Sequence, residues 1–163
     1  MTYYDKISEG YEELHKEEQL KKIELIKKHF EPKPTDLLLD VASGTGLTTE
    51  PWNCRKVGLD PAIKLLERAR KREEIQYVNA EAEHIPFKDN AFDIVISITA
   101  MHNFHDIEKG LREIKRVGKN RFILSALKKS SKIKEIELLI NKIFKPKEII
   151  EEEKDLIYFC DKN

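Results

Sequence analysis

The 163-residue chain predicts an α/β fold: a mostly parallel sheet covered by helices on both faces. Three observations lead there. Strand-like and helix-like segments alternate along most of the sequence, as a sheet built from crossover connections requires. Two strand-like runs, 36–42 (DLLLDVA) and 92–99 (FDIVISIT), are apolar on both faces, the pattern of a strand buried from two sides. A turn with two glycines, Ser43-Gly-Thr-Gly46, directly follows the first of these runs.

Taken in order, residues 16–30 repeat apolar positions at Leu20, Ile23, Ile26 and Phe30, a helical spacing that Pro32 and Pro34 end. The run 36–42 is the first strand. After the glycine turn a short helical stretch is expected, broken near Pro51. Residues 56–60 (KVGLD) form a second strand, and Pro61 suits the first turn of a helix reaching about Arg72. Residues 75–78 are a third strand and 92–99 a fourth. Asp106 caps a helix whose apolar stripe is Ile107, Leu111, Ile114 and Val117. Residues 121–126 are a fifth strand, and a helix beginning at Ser130 or Ser131 carries Ile133, Ile136, Leu139, Ile140 and Ile143. Two short strands near 147–151 and 156–160, joined by a tight Glu/Lys turn, bring the count to seven, with the last antiparallel to the rest. No repeat or second domain interrupts the pattern. One domain is expected, with 1–35 as an N-terminal helix or lid segment and 36–163 as the core.

Charged residues make up 37% of the chain, well above the usual quarter, and sum to zero. Between Lys109 and Lys147, however, 13 Lys or Arg face only three Glu (Glu113, Glu135, Glu137). Such asymmetry is compatible with an anionic partner and also with solvated helix faces. No run approaches the ~20 apolar residues that span a bilayer, and the first residues lack signal-peptide blocks. Cys54 and Cys160 stand alone, without the spacing of a disulfide framework or zinc site, so no metal and a cytoplasmic setting are expected.

Gly44 and Gly46 allow a sharp turn against which a ligand can lie, and the start of the expected helix behind them would favour a carboxylate or phosphate. A lone Gly-x-Gly also marks many turns that bind nothing. Asp60, at the end of the second strand, is placed to accept hydrogen bonds from both ribose hydroxyls of an adenosine, or to cap the helix after Pro61. A dinucleotide is disfavoured: the small residue wanted three places after the second glycine is Thr49, followed by Glu50 and Pro51.

Leu39-Asp-Val-Ala-Ser-Gly-Thr-Gly46, Val57-Gly-Leu-Asp-Pro61, Ala80-Glu-Ala-Glu-His-Ile-Pro-Phe87, Phe92-Asp-Ile-Val95 and Ala100-Met-His-Asn-Phe104 follow one another in characteristic spacing. Together they resemble the S-adenosylmethionine-dependent methyltransferases of the Rossmann-like, seven-stranded class. The similarity is to the broad family (methyltransferase type 11) that includes the ubiquinone- and menaquinone-biosynthesis enzymes. It implies that Asp40, Ala42, Ser43, Gly44 and Gly46 surround the methionyl part of the cofactor. It further implies that Asp60 holds the ribose with Pro61 beside it, that Glu81 and Ala82 meet the adenine, and that Ile98 packs near the sulfonium. The Tyr3–Tyr11 region is similar to a segment that folds over the cofactor, with Tyr11 as part of the lid. Ala42 stands where many methyltransferases have Gly, and Asn103 where the family often has a second His.

Methyl transfer from a sulfonium needs mainly alignment; a base is required only for an acceptor that must lose a proton. His102 and His105 are the nearest imidazoles, and both also suit a surface loop. Lys128, Lys129, Lys132 and Lys134 follow the fifth strand, at the edge where α/β sheets bind ligands, and would attract an anionic acceptor. The expected function is transfer of a methyl group to a small molecule or nucleic acid. The alternative is a cofactor-binding regulatory subunit without activity of its own, completed by a homodimer or a partner subunit.

Overall fold

The structure, a computed structural model, describes residues 3–72 and 74–162, with side chains from residue 13 onward. Two compact units are present, residues 1–31 and 32–163. The first holds one helix, α1 (Tyr3–Lys27). It starts earlier than the apolar periodicity indicates, because residues 3–15 are mostly polar and carry little of that signal. Ile23 and Ile26 on it are buried.

The second unit contains β1 (Leu37–Val41), β2 (Arg55–Asp60), α2 (Ile63–Ala69), β3 (Gln76–Asn79), β4 (Phe92–Ile98), α3 (Ile107–Val117), β5 (Gly118–Leu127), α4 (Ile133–Ile143), β6 (Glu148–Glu151) and β7 (Asp155–Asp161). The seven strands form one sheet in the order β3-β2-β1-β4-β5-β7-β6. β1 pairs in parallel with β2 and β4, and β2 with β3 and β4 with β5 likewise. β7 runs antiparallel to both β5 and β6, as the tight turn between the last two strands indicates. That turn is held by Glu152, whose Oε1 accepts the amides of Lys154 (2.8 Å) and Asp155 (2.9 Å).

Alternation of side chains along the strands splits the sheet into two faces. Leu39, Val41, Val57, Leu59, Val95, Phe122, Leu124, Tyr158 and Cys160 join α3 and α4 in one buried cluster, with Leu111, Ile114, Val117, Ile136 and Ile140 supplied by the helices. Asp106 caps α3 as its position predicts, its Oδ1 accepting the Lys109 amide at 3.1 Å. On the opposite face, at the centre of the sheet, Asp40 of β1 stands level with Gly58 of β2. Strand order reverses between β1 and β4, so the carboxyl ends of these strands form the crevice where open α/β sheets bind ligands.

Of the expected helices, one is absent and one is shorter. No helix follows the glycine turn: residues 42–51 form successive turns. Positive φ at Ala42, Gly44 and Gly46 breaks any helical run at its start, and Thr48 and Thr49 point their hydroxyls back at Asp40. The anion-binding helix start expected there is therefore absent, and only turn amides remain. α2 begins at Ile63 rather than at Pro61, because Asp60 Oδ1 captures the Ala62 amide (2.8 Å) and holds 60–62 in a turn.

Candidate cofactor and acceptor site

The site grows from the end of β1. Asp40 is fully buried. Its Oδ2 accepts hydroxyl hydrogens from Thr48 and Thr49, both at 2.7 Å, while Oδ1 has no hydrogen-bond partner among the described residues. Burial pushes the Asp40 carboxyl up to about 7; the two threonine bonds pull the other way, and the nearby charge of Asp60 adds to the rise. Thr49, which argues against a dinucleotide in the sequence, thus has a place of its own in the fold.

Beyond Asp40 the chain turns through Ala42 (φ 65°), Gly44 (φ 55°) and Gly46 (φ 87°). The two glycines differ. A Cβ on Gly44 would meet nothing within 4 Å, whereas one on Gly46 would collide with the Tyr77 hydroxyl at 2.3 Å. Gly46 is a packing glycine, and Gly44 borders open space. Ser43 Oγ beside it is buried without a hydrogen-bond partner among the described residues. Ala42 holds a left-handed conformation that disfavours a Cβ by about 1–2 kcal/mol, against which glycine loses about 0.5–1 kcal/mol in backbone entropy. Because the Ala42 methyl also packs against the core, Ala42→Gly should change stability by under ~1 kcal/mol in urea unfolding; a larger change would show that strain and packing do not offset.

Asp60 closes the opposite wall. Its Oδ2 accepts the Gly44 amide at 2.9 Å and its Oδ1 the Ala62 amide at 2.8 Å, so one carboxylate ties the glycine turn to the start of α2. The N-cap residue of α2 is Ala62, not Asp60. Pro61 is exposed beside it. After β3, Glu81 is exposed and Ala82 buried. Glu83, which no sequence signal singles out, is the buried acid of this loop, with Oε2 accepting the Asp106 amide at 2.9 Å. Arg116 fixes the rest of the loop through the carbonyls of Ile85 and Phe87, both at 2.9 Å. Ile98 is buried at the end of β4. Tyr11 lies on α1 at a position whose side chain falls outside the described residues, as do all side chains of the Tyr3–Tyr11 segment.

A second polar cluster stands past Ile98. Thr99 is left-handed (φ 54°), rare for a β-branched residue. Its amide donates to Ser125 Oγ at 2.8 Å and its hydroxyl to Asp155 Oδ2 at 2.6 Å, and Ser125 Oγ donates to the same carboxylate oxygen at 2.9 Å. The following 3₁₀ turn, Met101–Asn103, carries His102. The ring is half-buried, with Nδ1 enclosed and unbonded among the described residues. Burial lowers its pKa below the ordinary 6.5, opposed by Asp155 and reinforced by Lys132. His105 and Asn103 are exposed. No pattern in the sequence brings Thr99, Ser125 and Asp155 together, since the contact depends on β7 inserting beside β5.

The lysines after β5 do not form one free patch. Lys128 Nζ pairs with Glu151 at 3.0 Å, and Lys132 Nζ donates to the His102 carbonyl at 3.0 Å; Lys129 and Lys134 are exposed. Elsewhere in the basic segment, acids from outside it supply partners: Asp89 for Arg116, Glu108 for Arg112 and Lys142, Asp161 for Arg121 and Lys147. Much of the charge asymmetry is therefore matched within the fold.

Residues 39–124 match the family described as a methyltransferase domain. An uncharacterized protein of Methanocaldococcus jannaschii is 34% identical over 118 residues, covering 72% of this chain and 47% of that protein. The demethylmenaquinone methyltransferase of Corynebacterium kroppenstedtii is 35% identical over 96 residues, 57% of this chain and 42% of that enzyme. The chain thus spans about half the length of the curated relatives it matches. Among solved structures, a SAM-dependent methyltransferase from Aquifex aeolicus superposes with a TM-score of 0.72 over 86% of this chain and 89% of its own, at 18% identity. That identity speaks for the fold alone.

Proposed function

Since the chain belongs to the methyltransferase-domain family, whose methyl donor is S-adenosylmethionine, we propose that it is an active methyltransferase that binds this donor over the Gly44 turn and admits its acceptor past Ile98. The observation that carries this reading is a turn that borders open space at Gly44 and is flanked by two buried polar atoms with no hydrogen-bond partner among the described residues, Asp40 Oδ1 at the end of β1 and Ser43 Oγ over Gly58. Buried polar atoms are normally hydrogen-bonded, and these two suit a methionyl ammonium and carboxylate. No helix among the described residues is long and apolar enough to cross a membrane.

When bound, the cofactor supplies an electrophilic methyl group on a positively charged sulfur. The chain's own residues align and shield. Asp40 and Asp60 present two carboxylates to a cationic ligand, and Glu81 and Ala82 are assigned to the adenine edge. Ile98 supplies an apolar wall that excludes water from the methyl position. Alignment of this kind contributes up to ~7–11 kcal/mol of barrier reduction in favourable systems.

Titration calorimetry should show binding of S-adenosylmethionine and S-adenosylhomocysteine and none of NAD. Incubation with methyl-labelled cofactor and fractionated RNA, protein and small-molecule extracts should then transfer label to one fraction. Cofactor binding with no transfer to any fraction would overturn the enzyme reading and leave the regulatory-subunit alternative in its place.

A further inference from the structure

The Thr99–Ser125–Asp155 cluster is not used by the cofactor half of the site, yet it is largely buried, strained and set directly after Ile98 at the end of β4. Ser125 and Asp155 are both fully buried. A β-branched residue in the left-handed region is strained, and persists only where its surroundings over-determine it. Here a set of bonds does so, among them the Thr99 amide to Ser125 Oγ and the Ser125 carbonyl, the Thr99 hydroxyl to Asp155, and the Ser125 hydroxyl to Asp155. Thr99 Oγ1 and Ser125 Oγ bond the same oxygen, Asp155 Oδ2. Only Ala100 separates Thr99 from the turn Met101–Asn103 that presents His102, and that turn is short and closed by the Asn103 and Phe104 amides on the Ala100 and Met101 carbonyls (2.9 and 3.1 Å). Lys132 clamps it from α4 through the His102 carbonyl.

We infer that Asp155 is a positioning residue for the acceptor: through Thr99 it fixes the turn carrying His102, and its charge faces an imidazole placed to take a proton from the acceptor. The acceptor class that follows is one that must lose a proton to react, such as a phenol, a thiol or a carbon acid. Its X–H bond breaks, the proton passes to the ring, and the electron pair stays on X, the atom that receives the methyl group. The charge of Asp155 on β7 raises the basicity of the ring and that of Lys132, the residue before α4, lowers it. A ring whose basicity is lowered by burial is neutral at neutral pH and free to accept a proton, and the carboxylate then stabilises the imidazolium. This inference rests on the methyltransferase reading.

The test reads His102 by heteronuclear NMR, following its ring nitrogens through a pH titration in wild type, Asp155→Asn and Lys132→Gln. Asp155→Asn keeps an acceptor for both hydroxyls but removes the charge, so the His102 midpoint should fall; Lys132→Gln should raise it. Binding of S-adenosylhomocysteine by Asp155→Asn should stay within about twofold of wild type, since the cluster serves the acceptor half. Should Asp155→Asn not fold, Thr99→Val removes the hydroxyl bond alone. Hydrogen exchange at the Asn103 and Phe104 amides should then rise by about tenfold, equivalent to about 1.4 kcal/mol. An unmoved His102 midpoint in folded Asp155→Asn, or unchanged exchange in Thr99→Val, overturns the assignment. Absence of S-adenosylhomocysteine binding by the wild type would instead strike the methyltransferase reading itself, independently of the His102 titration.

Discussion

Replacing Asp60 with Ala should weaken S-adenosylmethionine binding roughly 10- to 150-fold, because hydrogen bonds to a charged group contribute about 1.5–3 kcal/mol. The bonds of Asp60 sharpen the expectation. Both of its oxygens already accept backbone amides, from Gly44 and Ala62. An ionised carboxylate has about four acceptor sites, so two ribose hydroxyls can bind without displacing either amide. Asp60 would then act twice, by holding the glycine turn in shape and by holding the sugar. Asp60→Asn separates the roles, since it keeps one carbonyl acceptor and exchanges the other oxygen for a donor that opposes an amide. Its binding should fall between wild type and Asp60→Ala. Calorimetry at fixed pH, with urea unfolding to confirm that each variant is folded, measures both. Unchanged affinity in Asp60→Ala would remove Asp60 from the ribose site.

The second large effect comes from Asp40. Its carboxyl sits at about 7 in the folded chain against an ordinary 3.8, chiefly because burial disfavours the charge. The sign of the linkage follows directly. Between these two values the unfolded chain has released a proton that the folded chain still holds, so folding stability falls as pH rises from about 4 to about 7 and then levels off. Asp40 alone should cost roughly 2.5 kcal/mol between pH 5 and pH 8. Asp40→Asn is neutral throughout and should lose that part of the slope, making it more stable than wild type at pH 8. Cofactor binding should respond in the opposite sense. A cationic methionyl group beside Oδ1 favours the carboxylate, so protonating Asp40 opposes binding, and affinity in wild type should rise roughly 50-fold from pH 5 to pH 7. Asp40→Asn should bind weakly and with little pH dependence over that range. A wild-type affinity flat across pH 5–7 would show that no cation sits against Asp40.

What was legible in the sequence was mostly local or periodic. The strands at 37–41 and 92–98 announced themselves by runs apolar on both faces, and Asp106 by its place before a 3.6-residue stripe. The motif residues Asp40, Gly44, Asp60 and Ile98 are contiguous with strand ends, so finding the strands located them. Features set by long-range pairing were hidden. The turns at 42–51 replace a helix because two threonines bond Asp40, a contact across the start of a loop that propensity does not see. β5 begins at Gly118 rather than near Arg121, since its early residues, polar and exposed at Lys119 and Asn120, carry no apolar signal. Asp155 opens β7 as one charge among many in an acidic stretch, and only the register that sets it opposite Leu127 reveals that it is buried.

The sheet order also has a consequence for how the chain is made. β5 is ten residues long, its centre at Phe122, Ile123 and Leu124 is fully buried, and its outer neighbour is β7. During translation α4 and β6 emerge in between, so β5 waits as an unpaired apolar edge until residues 155–161 appear. At the usual elongation rates of roughly 5–20 residues per second, that interval is about 1.5–6 s. β6 cannot take the place beside β5 without excluding β7, and it would pair in parallel, with four residues where β7 offers seven. A nascent chain stalled between β6 and β7 should therefore be the species most prone to self-association and most dependent on a chaperone.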